Sequence, residues 1–322
     1  MIDPLDKALS YSKSGFPEKS EEILRSLSQD DNRVLFNLGW HDIRHGDLLK
    51  GMEGLNAGRH IEVFGSPPIA GPIWRDEPLQ GKTLVFRMEG GLGDEIINFR
   101  FCSHFRDLGA NVVIFCDPSL AGLFTSHGYP CVSALDHLHY DYWIPAMSAS
   151  YVLGITHKTL SGEPYIKATP TLESCGRIRV GVRWGGNVQN NDVEPSRKIP
   201  YKLIKEFVED WDYKADFYSF QRDTDLHLDF PQFDLAGHLA TWEATAGLIA
   251  SMDLMITSCT SVAHLSAAMG VPTWIMIPQM PYYTWAMPGN TSPWYDSVRL
   301  FRKDGEDWDP VLENIDKEFA AF

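Results

Sequence analysis

Three stretches of the chain combine residue types that could do chemistry. The first is Glu89-Gly-Gly-Leu-Gly-Asp94. Its glycines allow a sharp turn that brings backbone N–H groups close to a ligand. Asp94, at the start of the helix that follows, could take a proton from an attacking hydroxyl, or it could do no more than cap that helix. The second is Ser258-Cys-Thr-Ser-Val-Ala-His264. Thr260 and Ser261 are placed to open a helix, whose exposed N–H groups and positive dipole end suit a diphosphate. His264 falls one turn in and could donate to a phosphate or sugar oxygen, the plain reading being a structural histidine. Upstream, Thr241-Trp-Glu243 opens the preceding helix, where Glu243 could hold a ribose diol. The third is Gly181-Val-Arg-Trp-Gly-Gly-Asn187, leading into Arg197-Lys198. Arg183 at a strand end could reach a phosphate, and a cation there would stabilise the charge of a departing diphosphate. Ser219-Phe-Gln221 is a further strand end whose groups could pair with a base.

The elements that must position these residues follow from hydrophobic periodicity. Residues 1–58 carry apolar residues at helical spacing, with breaks at Gly15–Pro17, Asp30–Asn32 and Gly46 that predict four helices. Val34 to Trp40, Gly46 and Gly54–Ala57 resemble one tetratricopeptide repeat, and residues 5–28 a degenerate one; the segment serves as a docking surface or as a brace. After a turn-rich link at Gly65–Pro72 the pattern alternates. Strands are predicted over 82–87, 111–116 and 141–145, with helices over 94–108 and 118–127. A second block predicts strands over 177–184, 215–220, 253–257 and 272–277, with helices over 201–209, 242–250 and 261–269. A last helix spans about 309–321 and is free to cross back to the first block. This order implies an α/β protein with parallel, doubly wound sheets in two blocks, hinged at Thr169-Pro170-Thr171.

Composition narrows the partners. The 322 residues are 44% hydrophobic and 22% charged, as in a folded soluble protein, and the formal charge of −15 disfavours nucleic acid. No apolar run is long enough to span a membrane, and no secretory leader opens the chain. Five scattered cysteines without a CxxC pair argue for reduced thiols in a cytoplasm and against a zinc site. The triplets Asp210–Asp212, Asp223–Asp225 and Asp307–Asp309 read as chance in an acidic chain, so no metal and no cofactor is predicted. The glycine turn lacks the spacing of a dinucleotide fingerprint, which excludes an oxidoreductase reading.

The segment Thr241–Pro272 resembles the nucleotide-sugar site of bacterial heptosyltransferases (glycosyltransferase family 9). It resembles still more closely the catalytic part of bacterial tetratricopeptide-repeat glycosyltransferases, relatives of the O-GlcNAc transferase type. The Glu89–Asp94 turn, Val182–Asn187, Ser219–Gln221, and Ser292-Pro-Trp-Tyr with Leu300-Phe-Arg302 follow in that group's order, over residues 75–320. The resemblance implies a GT-B fold of two facing Rossmann-like domains. It assigns 1–60 to the repeat-like segment, 61–170 to the acceptor domain, 171–305 to the nucleotide-sugar domain and 306–322 to the C-terminal helix. It implies metal-independent transfer from a UDP-, ADP- or GDP-sugar to a glycan, lipid-linked glycan or protein. Asp94 would be the base, with His264 and Arg183 as further catalytic groups. Gly91, Gly93, Gln221, Glu243, Thr260, Ser261 and His264 would bind the sugar nucleotide. Relatives read Asp-Thr where this chain reads Cys259-Thr260, so a carboxylate is missing. The alternative is a non-catalytic sugar-nucleotide-binding or scaffold protein that meets a partner through residues 1–60.

Overall fold

A computed structural model describes residues 3–65, 68–173, 176–186, 194–222 and 229–322. Cys175, Asn187 and the Asp223–Asp225 triplet lie outside these residues, as do the side chains of 194–195. Two compact units are present, Met1–Ala8 with Glu18–Leu160, and Leu9–Pro17 with Ser161–Phe322.

The N-terminal breaks fall where glycine, proline and aspartate predict them. Helices α1 (Pro4–Lys13), α2 (Pro17–Ser26), α3 (Asn32–Arg44) and α4 (Leu48–Asn56) result. Asp31 caps α3 by accepting from the N–H of Arg33, and Asp47 caps α4 by accepting from that of Lys50. Helices α3 and α4 are packed backbone to backbone. A Cβ on Gly39 would stand 2.6 Å from the Gly51 carbonyl oxygen.

The rest of the first unit is a parallel sheet with the strand order β3-β2-β1-β4. In chain order it comprises β1 (Thr83–Arg87), α5 (Leu92–Phe99), α6 (Cys102–Asp107), β2 (Asn111–Phe115), α7 (Ala121–Thr125), β3 (Cys131–Val132), β4 (Tyr142–Pro145) and α8 (Ala146–Val152). The helix expected over 94–108 is two helices. At the break the backbone tightens to bonds three residues back, Phe101 to Asn98 and His104 to Phe101, while Arg100 Nε donates to the Ile97 carbonyl. Helix α4 packs on α8, and the helical segment from Glu18 onward belongs to this unit.

The second unit holds a six-stranded parallel sheet, β10-β9-β8-β5-β6-β7. Its elements are β5 (Ile178–Arg183), α9 (Glu194–Arg197), α10 (Tyr201–Trp211), β6 (Ala215–Ser219), β7 (Phe233–Asp234), α11 (Trp242–Ile249), β8 (Leu254–Ser258), α12 (Ser261–Ala268), β9 (Thr273–Ile277), β10 (Val298–Arg302) and α13 (Asp309–Ala321). Both β8 and β9 are buried along their whole length, which is why Leu254–Ile256 and Trp274–Ile277 read as apolar runs. The C-terminal helix α13, expected as free to cross back to the first block, joins the core of this second unit instead. Its stripe of Val311, Leu312, Ile315 and Phe319 meets Phe207, Phe217, Trp274 and Phe301, and Arg299 pairs with Glu318. Residues ahead of the expected hinge also belong here, because the N–H groups of Tyr165 and Ile166 both donate to the Ala268 carbonyl. Among the described residues no helix is long and apolar enough to cross a membrane.

Candidate functional site

In each sheet the strand order reverses once, between β1 and β4 and between β5 and β8. An open parallel sheet leaves a crevice beyond the carboxyl ends of its strands at such a point, because the flanking connections leave on opposite faces. Both glycine-rich motifs and the Ser258–His264 motif lie at these ends.

In the second unit, β5 and β8 are neighbours, with Arg183 in register with Thr257. From Ser258, the last residue of β8, the chain runs through Cys259 and Thr260 into α12. Thr260 is the residue preceding the helix, extended at φ −132° and ψ 176°, and among the described residues no side chain caps the helix start. The Oγ atoms of Ser258 and Thr260 are buried without a hydrogen-bond partner among the described residues. Burying a hydroxyl without a partner costs about 1–3 kcal/mol, and these two stand two residues apart, at the end of β8 and just ahead of α12. Ser261 is half-buried at the first helical position.

Gln221, at the end of β6, is fully buried. Its Oε1 accepts from the N–H groups of Trp184 and Gly185 at 3.3 and 3.0 Å, which ties the β6 end to the β5 end. Its Nε2 is a third buried polar atom without a partner among the described residues. Arg183 is buried and donates through Nη1 to the Phe220 carbonyl at 2.8 Å. Arg197 donates to the Cys259 carbonyl at 3.2 Å, so a second guanidinium stands next to Thr260.

His264 is buried in an aromatic box. Its ring stacks on Trp285 at 5.0 Å and 9°, and its Nδ1 hydrogen-bonds to the Tyr295 hydroxyl at 3.2 Å. Trp285 Nε1 donates to the Sγ of Cys259 at 3.1 Å. Arg302 fastens this wall by donating to the carbonyls of Trp285, Met287 and Gly289. The motif Ser292-Pro-Trp-Tyr and Arg302 thus act here as buttresses. Glu243 is exposed in the first turn of α11, which packs on α12.

In the first unit the chain leaves β1 through Glu89, turns at Gly90 with φ +78°, and enters α5 from Gly91. Gly90 must be glycine, because a Cβ there would lie 2.6 Å from Asp94 Oδ2. Asp94 is half-buried at the third helical position, and Oδ2 accepts from the Gly91 N–H at 2.9 Å. Capping is therefore one of its tasks. Gly91 is exposed and Gly93 half-buried. Next to Asp94, Glu95 is buried and accepts from the Asp117 N–H with both oxygens at 3.1 Å. Burial is the largest influence on it and pushes its carboxyl up to about 8. Glu89 is also buried, in a two-pronged pair with Arg59.

The structure thus brings Thr260, Ser261, His264, Arg183 and Gln221 to one edge of the second sheet. It puts Asp94, Gly91 and Gly93 in the first unit and leaves Glu243 on the surface of α11. Sequence reasoning missed the Arg197–Cys259 contact, the Trp285–Tyr295 box and the Arg59–Glu89 pair. Each joins residues far apart in the chain. The adjacency of Arg197 to the glycine stretch was the only signal present.

No protein-family model matches the chain, and no curated protein matches it. Solved structures do. The chain is similar to ADP-heptose LPS heptosyltransferase II of E. coli, with a TM-score of 0.54 and 13% identity over 74% of this chain and 98% of that one. It is similar to E. coli heptosyltransferase WaaC, described with ADP-2-deoxy-2-fluoro heptose, at TM-score 0.51 and 11% identity over 74% and 99%. The iron-containing dodecameric glycosyltransferase TibC of enterotoxigenic E. coli aligns at TM-score 0.52 and 12% identity over 67% and 64%. The fold is the one these transferases share. At such identity the likeness speaks for the fold alone.

Proposed function

We propose that the protein is a glycosyltransferase of GT-B type that takes a nucleoside-diphosphate sugar as donor. The observation that carries this reading is the passage from β8 into α12, where Ser258 and Thr260 hold buried hydroxyls that have no partner among the described residues, beside Arg197 and a helix start that no described side chain caps. A diphosphate supplies what such a place lacks, namely acceptors for backbone N–H groups and for hydroxyls, and negative charge for the guanidinium and dipole. Thr260 and Ser261 contact the diphosphate, Arg183 and Arg197 supply positive charge, and the Gln221 end of β6 faces the base. His264 orders the helix start through its aromatic box and Tyr295. Glu243 holds the ribose. Asp94 accepts the acceptor's proton, with Gly91 and Gly93 admitting the sugar close to the backbone. No metal takes part.

The donor is an ADP-, UDP- or GDP-sugar and the acceptor a glycan, lipid-linked glycan or protein. Kinship with tetratricopeptide-repeat transferases is supported by the close α3–α4 pair. A cytoplasmic setting is supported by the four described cysteines, all unbridged. A second reading, sugar-nucleotide binding without transfer, is favoured by Cys259, whose buried sulfur takes the indole N–H where relatives carry a carboxylate.

The test is release of nucleoside diphosphate from ADP-heptose, UDP-N-acetylglucosamine and a GDP-hexose, with glycan and peptide acceptors present to take the sugar. A melting-temperature shift with each nucleotide is measured in parallel, since binding to the native state alone raises it. Release that stops in Asp94→Asn while the shift persists supports transfer. A shift without release supports the second reading, and no shift with any nucleotide sinks both.

A further inference from the structure

The glycine-rich turn is held from outside at Glu89 and Gly90. Glu89 is buried, and its carboxylate accepts from Arg59 Nε at 3.0 Å and Nη2 at 2.7 Å. One of its oxygens also accepts from the Met147 N–H at 3.2 Å. Gly90 donates its N–H to the Phe64 carbonyl at 3.1 Å. Gly91 donates to Asp94 at 2.9 Å. Arg59 is anchored in turn, since its Nη1 donates to Asn56 Oδ1, which also accepts from Ser148 Oγ. Arg59, Asn56 and Phe64 all come from the end of the N-terminal helical segment. Met147 and Ser148 open α8, directly after β4. The Glu89 carboxylate, held by Arg59, therefore joins the carboxyl ends of β1 and β4, the two strands between which the first sheet reverses its order.

A buried carboxylate needs its cation, so the pair is retained only while the helical segment stays docked. A planar guanidinium bound at two points fixes the plane of the carboxylate as well as its position. Through Glu89 and the two N–H bonds that follow it, the orientation of the first turn of α5 is set from residues 56–64. A displacement of about 1 Å at a catalytic group can cost about a hundredfold in rate.

We propose that Arg59 is a positioning residue, through which the N-terminal helical segment sets the geometry of the Glu89–Asp94 turn and thereby of Asp94. The catalytic consequence rests on the reading of Asp94 as the base, whereas the mechanical one does not.

The experiment compares wild type with Arg59→Met and the double variant Arg59→Met/Glu89→Met, which removes both buried charges. Amide hydrogen exchange is followed at Gly90, Gly91 and the first turn of α5. Turnover is followed with ADP-heptose, UDP-N-acetylglucosamine and a GDP-hexose. Arg59→Met is expected to speed exchange at these amides at least tenfold. In the double variant the melting temperature returns toward wild type, while kcat stays at least tenfold down and KM for the donor is unchanged. Unchanged exchange in Arg59→Met, or kcat that recovers together with stability in the double variant, overturns the proposal. If wild type turns over none of the three sugar nucleotides, the exchange result alone decides, so a failed base assignment is told apart from a failed latch.

Discussion

The indole N–H of Trp285 points at the sulfur of Cys259, 3.1 Å away, and both residues are buried. The same indole stacks on His264 one turn into α12. Cys259→Ala leaves that N–H without an acceptor and should lower stability by about 1 kcal/mol, the low end for a buried unsatisfied donor because sulfur accepts weakly. Cys259→Asp puts a charge into this buried site and should cost more, despite matching the relatives' residue type. Thermal denaturation of both variants checks the order, and an aspartate variant as stable as wild type would contradict it.

Gly39→Ala gives opposite expectations from local and tertiary arguments. Alanine is the better helix former by about 1 kcal/mol, so an isolated α3 would gain. Here the new methyl would lie 2.6 Å from the Gly51 carbonyl oxygen and 2.7 Å from the Leu55 nitrogen, both backbone atoms. Overpacking of this kind costs about 1–3 kcal/mol, so the variant should be less stable in urea or heat. A gain in stability would mean that the helices do not pack at these glycines.

Glu95 makes stability depend on pH. Burial holds its carboxyl at about 8 in the folded chain, against an ordinary value of 4.5. The folded chain therefore keeps a proton between those values that the unfolded chain has lost. Its contribution is fully present below about 4.5 and is lost as pH rises through about 8. The total is on the order of a few kcal/mol. Glu95→Gln should flatten the fall in melting temperature over this window, and an unaltered pH profile in that variant would contradict the assignment.

The strands most legible in the sequence are those buried along their length, β8 and β9, and those rich in β-branched residues, β1, β2 and β5. Periodicity found the four N-terminal helices because Gly15, Asp31 and Gly46 mark their ends. It missed β3 and β7, each two residues long, β10, and α8, which begins directly after Pro145. It also missed the break at Arg100, where local bonding three residues back competes with a continuing helix. In the candidate site, Thr260 and Asp94 were legible because each stands where a strand gives way to a helix. Arg59, Arg197 and Trp285 were not, because their partners lie 30, 62 and 26 residues away and only packing joins them.

Thr260→Val separates a binding role from a structural one, since it removes a hydroxyl with no partner among the described residues while keeping the shape of the side chain. Isothermal titration of ADP, UDP and GDP into wild type and this variant tests the central claim most directly. The account predicts that one of the three binds wild type. The variant should melt at or above the wild-type temperature and bind that nucleotide at least tenfold more weakly, a loss of about 1.4 kcal/mol. Folded wild type that takes none of the three, or a variant that binds as wild type does, would contradict it.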